Sequence, residues 1–267
     1  MREILALMRV GWLSALSYRL NMVFSVLGLL ASFIPVYLVS SALQPVAANS
    51  IRNEGGEYFG FLVFGLAAIT IVTSAVNVLP QAITATIGNG TLELLLTTPA
   101  RTASVVVGLA AYDLAWSLVR ALLLLLAGIG FGMSTHLVGI PVALLALVLT
   151  MLAYLGAGLG LAAMILAFRT IGPLSTGIIA ASSLLGGVYY STTVIPSWFQ
   201  HLAVIFPLTY GLRVMRRAWL QGDYQWATVG SDLAVLVLLT VVCLAVGAML
   251  FRVALNHARR EGTLGQY

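Results

Sequence analysis

Long apolar runs separated by short polar punctuation set the pattern of this chain. A helix needs about 20 apolar residues to cross the hydrocarbon core of a bilayer. Six segments reach that length: 22–43, 59–82, 103–133, 139–168, 171–194 and 229–251. The third and fourth are long enough to tilt or to project beyond the membrane. Residues 1–19 follow a different rule. Leu5, Met8, Trp12 and Leu16 recur at helical spacing, while Arg2, Glu3, Arg9 and Ser17 fall mostly off that stripe. This predicts an amphipathic helix lying in the interface.

Residues 195–222 depart from the pattern in another way. The stretch is apolar and aromatic, but Pro196 and Pro207 break it. Each half is too short to cross a core of about 30 Å. Two short helices dipping in from one side and returning fit these breaks, and so does an ordinary interfacial loop. Trp198, Phe199, Tyr210 and Trp219 then form an interfacial belt. Arg213, Arg216 and Arg217 are expected to snorkel to the outer headgroups or to face an exit path. The predicted fold is an all-α membrane protein. It has six transmembrane helices, an N-terminal interfacial helix and a re-entrant helical hairpin before the last span.

Composition strengthens this picture. Of 267 residues, 61% are hydrophobic and 8% charged, with mean hydropathy +1.04. Soluble domains carry about 25% charged residues, so a soluble enzyme or a disordered regulator is excluded. All 13 basic residues are arginine. Without lysine there is no P-loop to hold ATP phosphates and no kinase strand lysine. The lone Cys243 cannot form an intrachain disulfide, and His136, His201 and His257 share no metal-ligand spacing. Arg9 and Arg19 interrupt the early apolar residues, so no cleaved signal peptide is expected.

The net charge of +5 sits at the ends of apolar runs, which points to helix anchoring and not to nucleic acid. Arg2, Arg9, Arg19, Arg101, Arg169, Arg252, Arg259 and Arg260 fall on the side of the N-terminus; Arg52, Arg213, Arg216 and Arg217 fall opposite. That bias predicts cytoplasmic termini. Arginine without lysine, beside abundant alanine, suggests a high-GC bacterial genome and hence a bacterial plasma membrane.

Few polar groups lie within spans. Asp113 and Arg120 share a face of the third segment, two turns apart, and Arg120 needs a partner or an aqueous cavity. Asp232 stands near the outer start of the last span, where water reaches it. Gly128-x-x-x-Gly132 and Gly156-x-x-x-Gly160 permit close helix approach, either within one subunit or between subunits. The connection 88–101 reads GNGTLELLLTTPAR. A short helix from Thr91 places Glu93 in its first turn, where the dipole favours it, and Pro99 ends it. Leu92, Leu95 and Leu96 form an apolar ridge, covered either by a docking partner or by the chain's own bundle.

The run Gly90-Thr91-Leu92-Glu93-x-Leu95-Leu96-x-Thr98-Pro99 resembles the coupling-helix loop of type-2 ABC exporter permeases. Ile195-Pro196-x-Trp198, then Phe206-Pro207-Leu208-Thr209-Tyr210 and Arg216, resembles their re-entrant gate hairpin. The order of elements matches across essentially the whole chain. The resemblance implies a permease without ATPase activity, paired with a second copy or a paralogue. Two ABC ATP-binding subunits would bind ATP and Mg and dock on residues 90–99, with the permease itself holding no cofactor. Arg2, Glu3 and Arg9 would add a second contact. Tyr189, Tyr190, Pro196, Trp198, Phe199, Pro207, Tyr210 and Arg216 would line or close the outer pathway. Few fixed charges favour a hydrophobic or amphipathic substrate such as a drug, antibiotic or lipid. The alternatives are export of a lipid-linked polysaccharide by the same architecture, or ion-coupled transport through Asp113.

Overall fold

The computed structural model describes residues 19–31, 33–48, 50–51, 56–88, 102–168, 173–192, 194, 196–223 and 225–261. The expected docking residues Gly90, Thr91, Leu92, Glu93, Leu95, Leu96, Thr98 and Pro99 lie outside this set, as do Arg2, Glu3 and Arg9. The described helices are α1 (Arg19–Ala31), α2 (Phe33–Ala47), α3 (Tyr58–Gly88), α4 (Thr102–Gly130), α5 (Ile140–Phe168), α6 (Leu174–Leu185), α7 (Ser197–Ala203), α8 (Pro207–Leu220) and α9 (Trp226–Glu261). No strand occurs among the described residues, and the chain is an all-α membrane protein.

Among the described residues, five stretches are long and apolar enough to cross a membrane: Val23–Ala47, Tyr58–Gly88, Ala110–Gly130, Leu137–Phe168 and Trp226–Ala258. In lipid the backbone must satisfy its own polar groups, which only a helix or a closed barrel achieves. The few hydroxyls in the spans follow the same rule. Thr70, Thr150 and Thr240 donate to the carbonyls of Leu66, Ala146 and Leu236, one turn back on their own helices. The fifth predicted segment is shorter than its apolar run. Helix α6 holds 12 residues, about 18 Å at 1.5 Å per residue. It stops at Gly186, and Gly187 follows with φ of 77°, in the left-handed region that glycine favours.

Helix α3 is the most enclosed of the long apolar helices, buried on nearly every face from Phe59 to Leu79. Apolar character all round is what a helix at the centre of a bundle requires. Helix α4 packs along it on one side and α5 on another. Helix α9 lies along α5 and turns Leu238, Val241 and Met249 outward, where a membrane supplies the missing apolar surroundings.

Glycine sets the closest approaches. A Cβ on Gly156 would collide with the backbone of Cys243 and Leu244 on α9, and one on Gly247 would collide with the Gly156 carbonyl. Two residues on, Gly158 faces the carbonyls of Ala75 and Val76 on α3. Pro80 lacks the N–H that the Val76 carbonyl would otherwise accept, so α5 comes nearest where the α3 ladder is interrupted. Gly160 makes only ordinary contact, with Leu250. The small residue of the 156–160 pair that matters most is thus used within one chain.

Gly156→Ala should lower the thermal unfolding midpoint of the purified protein in detergent, by the equivalent of about 1–3 kcal/mol of overpacking. Gly160→Ala should leave it unchanged within about 0.5 kcal/mol, because the site has room.

Candidate functional site

One end of the bundle gathers the start of α3, the end of α4, the turn after α6, and α7, α8 and the start of α9. Helix α8 begins with Pro207 at its first turn, where the missing N–H costs nothing. The Thr209 hydroxyl donates to the Ala203 carbonyl at 2.8 Å and ties α8 to α7. Leu208, Leu212, Met215 and Trp219 press the inner face of α8 into the core.

Arg216 lies on that inner face and is 1% exposed. Its Nη2 donates to the carbonyls of Phe61 at 3.0 Å and Val188 at 3.3 Å. Its guanidinium carbon stands 3.4 Å from the centre of the Phe61 ring. A planar cation can stack on a ring while its edge donates in plane, which an ammonium cannot do. The Gly186-Gly187 turn delivers Val188 to this contact, and a Cβ on Gly65 would strike the Val188 carbonyl. Beside it, the Tyr58 hydroxyl donates to the Tyr189 carbonyl at 3.0 Å. One side chain therefore joins α3, α8 and the turn after α6.

A polar rim surrounds the clamp. The Gln44 side chain donates to the Gly56 carbonyl at 2.8 Å and accepts from the Tyr58 N–H at 2.7 Å. The Glu57 carboxylate accepts from the Ser134 N–H at 3.0 Å and from its hydroxyl. The His136 N–H donates to the Trp219 carbonyl at 2.9 Å. On the outer face of α8, Asp232 stands 4.0 Å from Arg213 and 3.4 Å from Arg217. Arg213 also donates to the Thr192 hydroxyl at 3.3 Å.

The arginine trio thus divides. Arg216 does not snorkel to headgroups as expected: its aliphatic stem and guanidinium are taken into the core because two carbonyls and a ring receive them. Arg213 and Arg217 are partly exposed and pair with Asp232. Pro207 and Tyr210 are buried, and Tyr190 is half-buried. Tyr189 keeps an exposed ring while its carbonyl joins the clamp. Trp198, 62% exposed, stacks on Phe199 with ring centres 3.7 Å apart, and Pro196 caps their helix. This aromatic pair stands apart from Arg216. Reading the sequence alone missed Gln44, Glu57, Tyr58, Phe61 and Ser134. The one available signal was a Glu-Tyr pair at the mouth of an apolar run.

The sequence profile described as ABC-2 type transporter matches residues 2–220. The chain belongs to the ABC-2 type transporter family. Nodulation protein J of Rhizobium leguminosarum bv. viciae is 27% identical over 208 residues, 75% of this chain and 77% of that protein. ABC transporter G family member 20 of Dictyostelium discoideum is 25% identical over 189 residues, 69% of this chain but 25% of that longer protein. The chain is accordingly a multi-pass membrane subunit of an ABC transporter, the permease part and not the catalytic one. The family implies an ABC ATP-binding partner in general.

In this permease the two arginine environments should respond differently to substitution. Arg216→Met leaves the Phe61 and Val188 carbonyls without their donor and should cost about 3 kcal/mol in unfolding experiments. Arg216→Lys should recover only part of that loss, because lysine has no plane to lay on Phe61. Asp232→Asn should cost under about 1 kcal/mol, since Arg213 and Arg217 stay near solvent.

Proposed function

We propose that the chain is the permease subunit of an ATP-driven exporter in a bacterial plasma membrane, with both termini in the cytoplasm. Two copies, or one copy and a paralogue, form the substrate pathway. Each docks a separate ATP-binding subunit through residues 90–99, with Arg2, Glu3 and Arg9 adding a second contact. The substrate is hydrophobic or amphipathic. The rim end faces outward, where residues 195–222 form the re-entrant hairpin that closes the pathway.

What carries the reading is α3. Its 31 residues form one helix from Tyr58 to Gly88, with a single ladder bond missing at Pro80, about 46 Å long. At one end it holds Phe61, the ring and carbonyl that receive Arg216. At the other it leads directly into residues 89–101. Helix α4 leaves those residues and packs back along α3, so the segment is held by two long adjacent rods. A force applied there travels along a stiff helix to the rim. Closure of two ATP-binding subunits would supply that force. The chain has no lysine with which to build a nucleotide site of its own.

Reconstituted with its ATP-binding subunit, the permease should lose transport on Glu93→Arg or Leu95→Asp while keeping its unfolding midpoint. Leu95→Asp should also release the ATP-binding subunit on size exclusion. Normal transport with that subunit still bound would overturn the docking role of this segment.

A further inference from the structure

A second polar feature lies away from the rim, inside the apolar helix α4. Arg120 lies within the apolar helix α4 (Thr102–Gly130), ten residues from its end and eighteen from its start. At 1.5 Å per residue that is about 15 Å from the nearer end of the helix, beyond the reach of an arginine side chain. Snorkelling is therefore not available to it. An arginine at this depth needs water, a hydrogen-bonding interior or a counter-charge.

The interior supplies little. Nη2 donates to the Ser74 hydroxyl at 3.2 Å, and the buried Nε has no acceptor. No carboxylate among the described residues forms an ion pair with it within 4.0 Å, and the one charge that acts on it from a distance is Asp113. Asp113 lies on the same helix two turns away, about 10 Å along the axis, and is exposed. The Arg216 guanidinium, by contrast, donates to two carbonyls and rests on a ring.

Next to Arg120 is a cavity of about 280 Å³ lined by Ser25, Leu29, Leu66, Thr70, Arg120 and Leu124. It lies between α1, α3 and α4. Arg120, Ser25 and Thr70 offer a positive charge and two hydroxyls; the three leucines form an apolar wall. Pockets that enclose whole drug-sized ligands run from about 300 to 1,000 Å³. This one holds a headgroup and its first carbons but not a whole amphiphile. The rest of such a molecule has a path beside it. Helix α1 exposes Leu20, Val23, Phe24 and Leu27, so the side of the cavity it forms borders lipid.

We propose that this cavity binds the acidic headgroup, carboxylate or phosphate, of a single-chain amphiphile that enters sideways from the hydrocarbon phase. Arg120 supplies the counter-charge, Ser25 and Thr70 hydrogen-bond the remaining oxygens, and the tail lies along α1. A charge-assisted hydrogen bond is among the stronger polar interactions a protein makes. As a statement about the transported substrate, this rests on the permease reading above. As a statement about binding it does not, because it needs only the permease.

The test reads binding in the permease alone. The full chain is reconstituted in phosphatidylcholine vesicles with spin-labelled stearate or its methyl ester, and the immobilised fraction is measured by electron spin resonance. The acid should be preferred over the ester by about tenfold, about 1.4 kcal/mol. Arg120→Gln should abolish the preference with an unchanged unfolding midpoint. Leu66→Trp keeps the charge but fills the cavity, and should reduce immobilisation of the acid. Displacement of the label by dodecyl phosphate as well as dodecanoate assigns the site to acidic headgroups generally; displacement by dodecanoate alone narrows it to carboxylates. Equal binding of acid and ester to the native chain overturns the proposal, as does a preference that survives Arg120→Gln. Displacement by inorganic phosphate from the aqueous phase also overturns it, because the site would then be open to water. Neither result bears on docking at Leu95, so the two readings fail separately.

Discussion

A guanidinium held between two carbonyls and a ring face sets the geometry at the rim of this permease. Arg216 has no water to solvate it, so its position is dictated by what can replace water. The Phe61 carbonyl fixes α8 against the start of α3, and the Val188 carbonyl fixes the turn after α6 against both. That turn is irregular backbone beside Gly65, about 10 Å along α3 from its rim end. Non-helical backbone is tolerated at such depth only where protein covers it and donors answer its carbonyls. The 12-residue length of α6 and the burial of Arg216 are therefore one fact seen from two helices.

The same bundle treats its other central arginine differently. Arg216 is buried and meets two carbonyls and a ring, whereas Arg120 is half-buried and meets a single hydroxyl beside a cavity. Helix α3 touches both, through Phe61 and through Ser74, thirteen residues apart. A displacement of α3 along its axis would change both environments together. A structural joint and a binding-competent cavity thus share one rod.

Much of the fold was legible because lipid leaves the backbone little choice. Apolar runs of sufficient length had to become helices, and five long ones are present. The fifth predicted run kept its apolar character but not its helix, because Gly186 and Gly187 turn the chain before its end. The site was less legible, for a specific reason. Arg216 is received by main-chain carbonyls of Phe61 and Val188, and a carbonyl looks the same in every residue. Arg213 and Arg217, four residues apart, pair with Asp232 in the following helix, a pattern visible in residue types. The glycine pairs posed a similar difficulty. Spacing announced close packing but not which partner, and the partner of Gly156 proved to be Gly247 in the same chain.

That crossing also bears on leakage. Where α5 meets α9 at Gly156 and Gly247, the backbones are too close to admit even a methyl group between them. At this crossing there is no room for a side chain between the two backbones, and contact of this kind works against leakage between the two helices. A membrane protein that moves cargo must keep the ion gradients of its cell intact while it does so. Here the tight contact is made by glycine backbones.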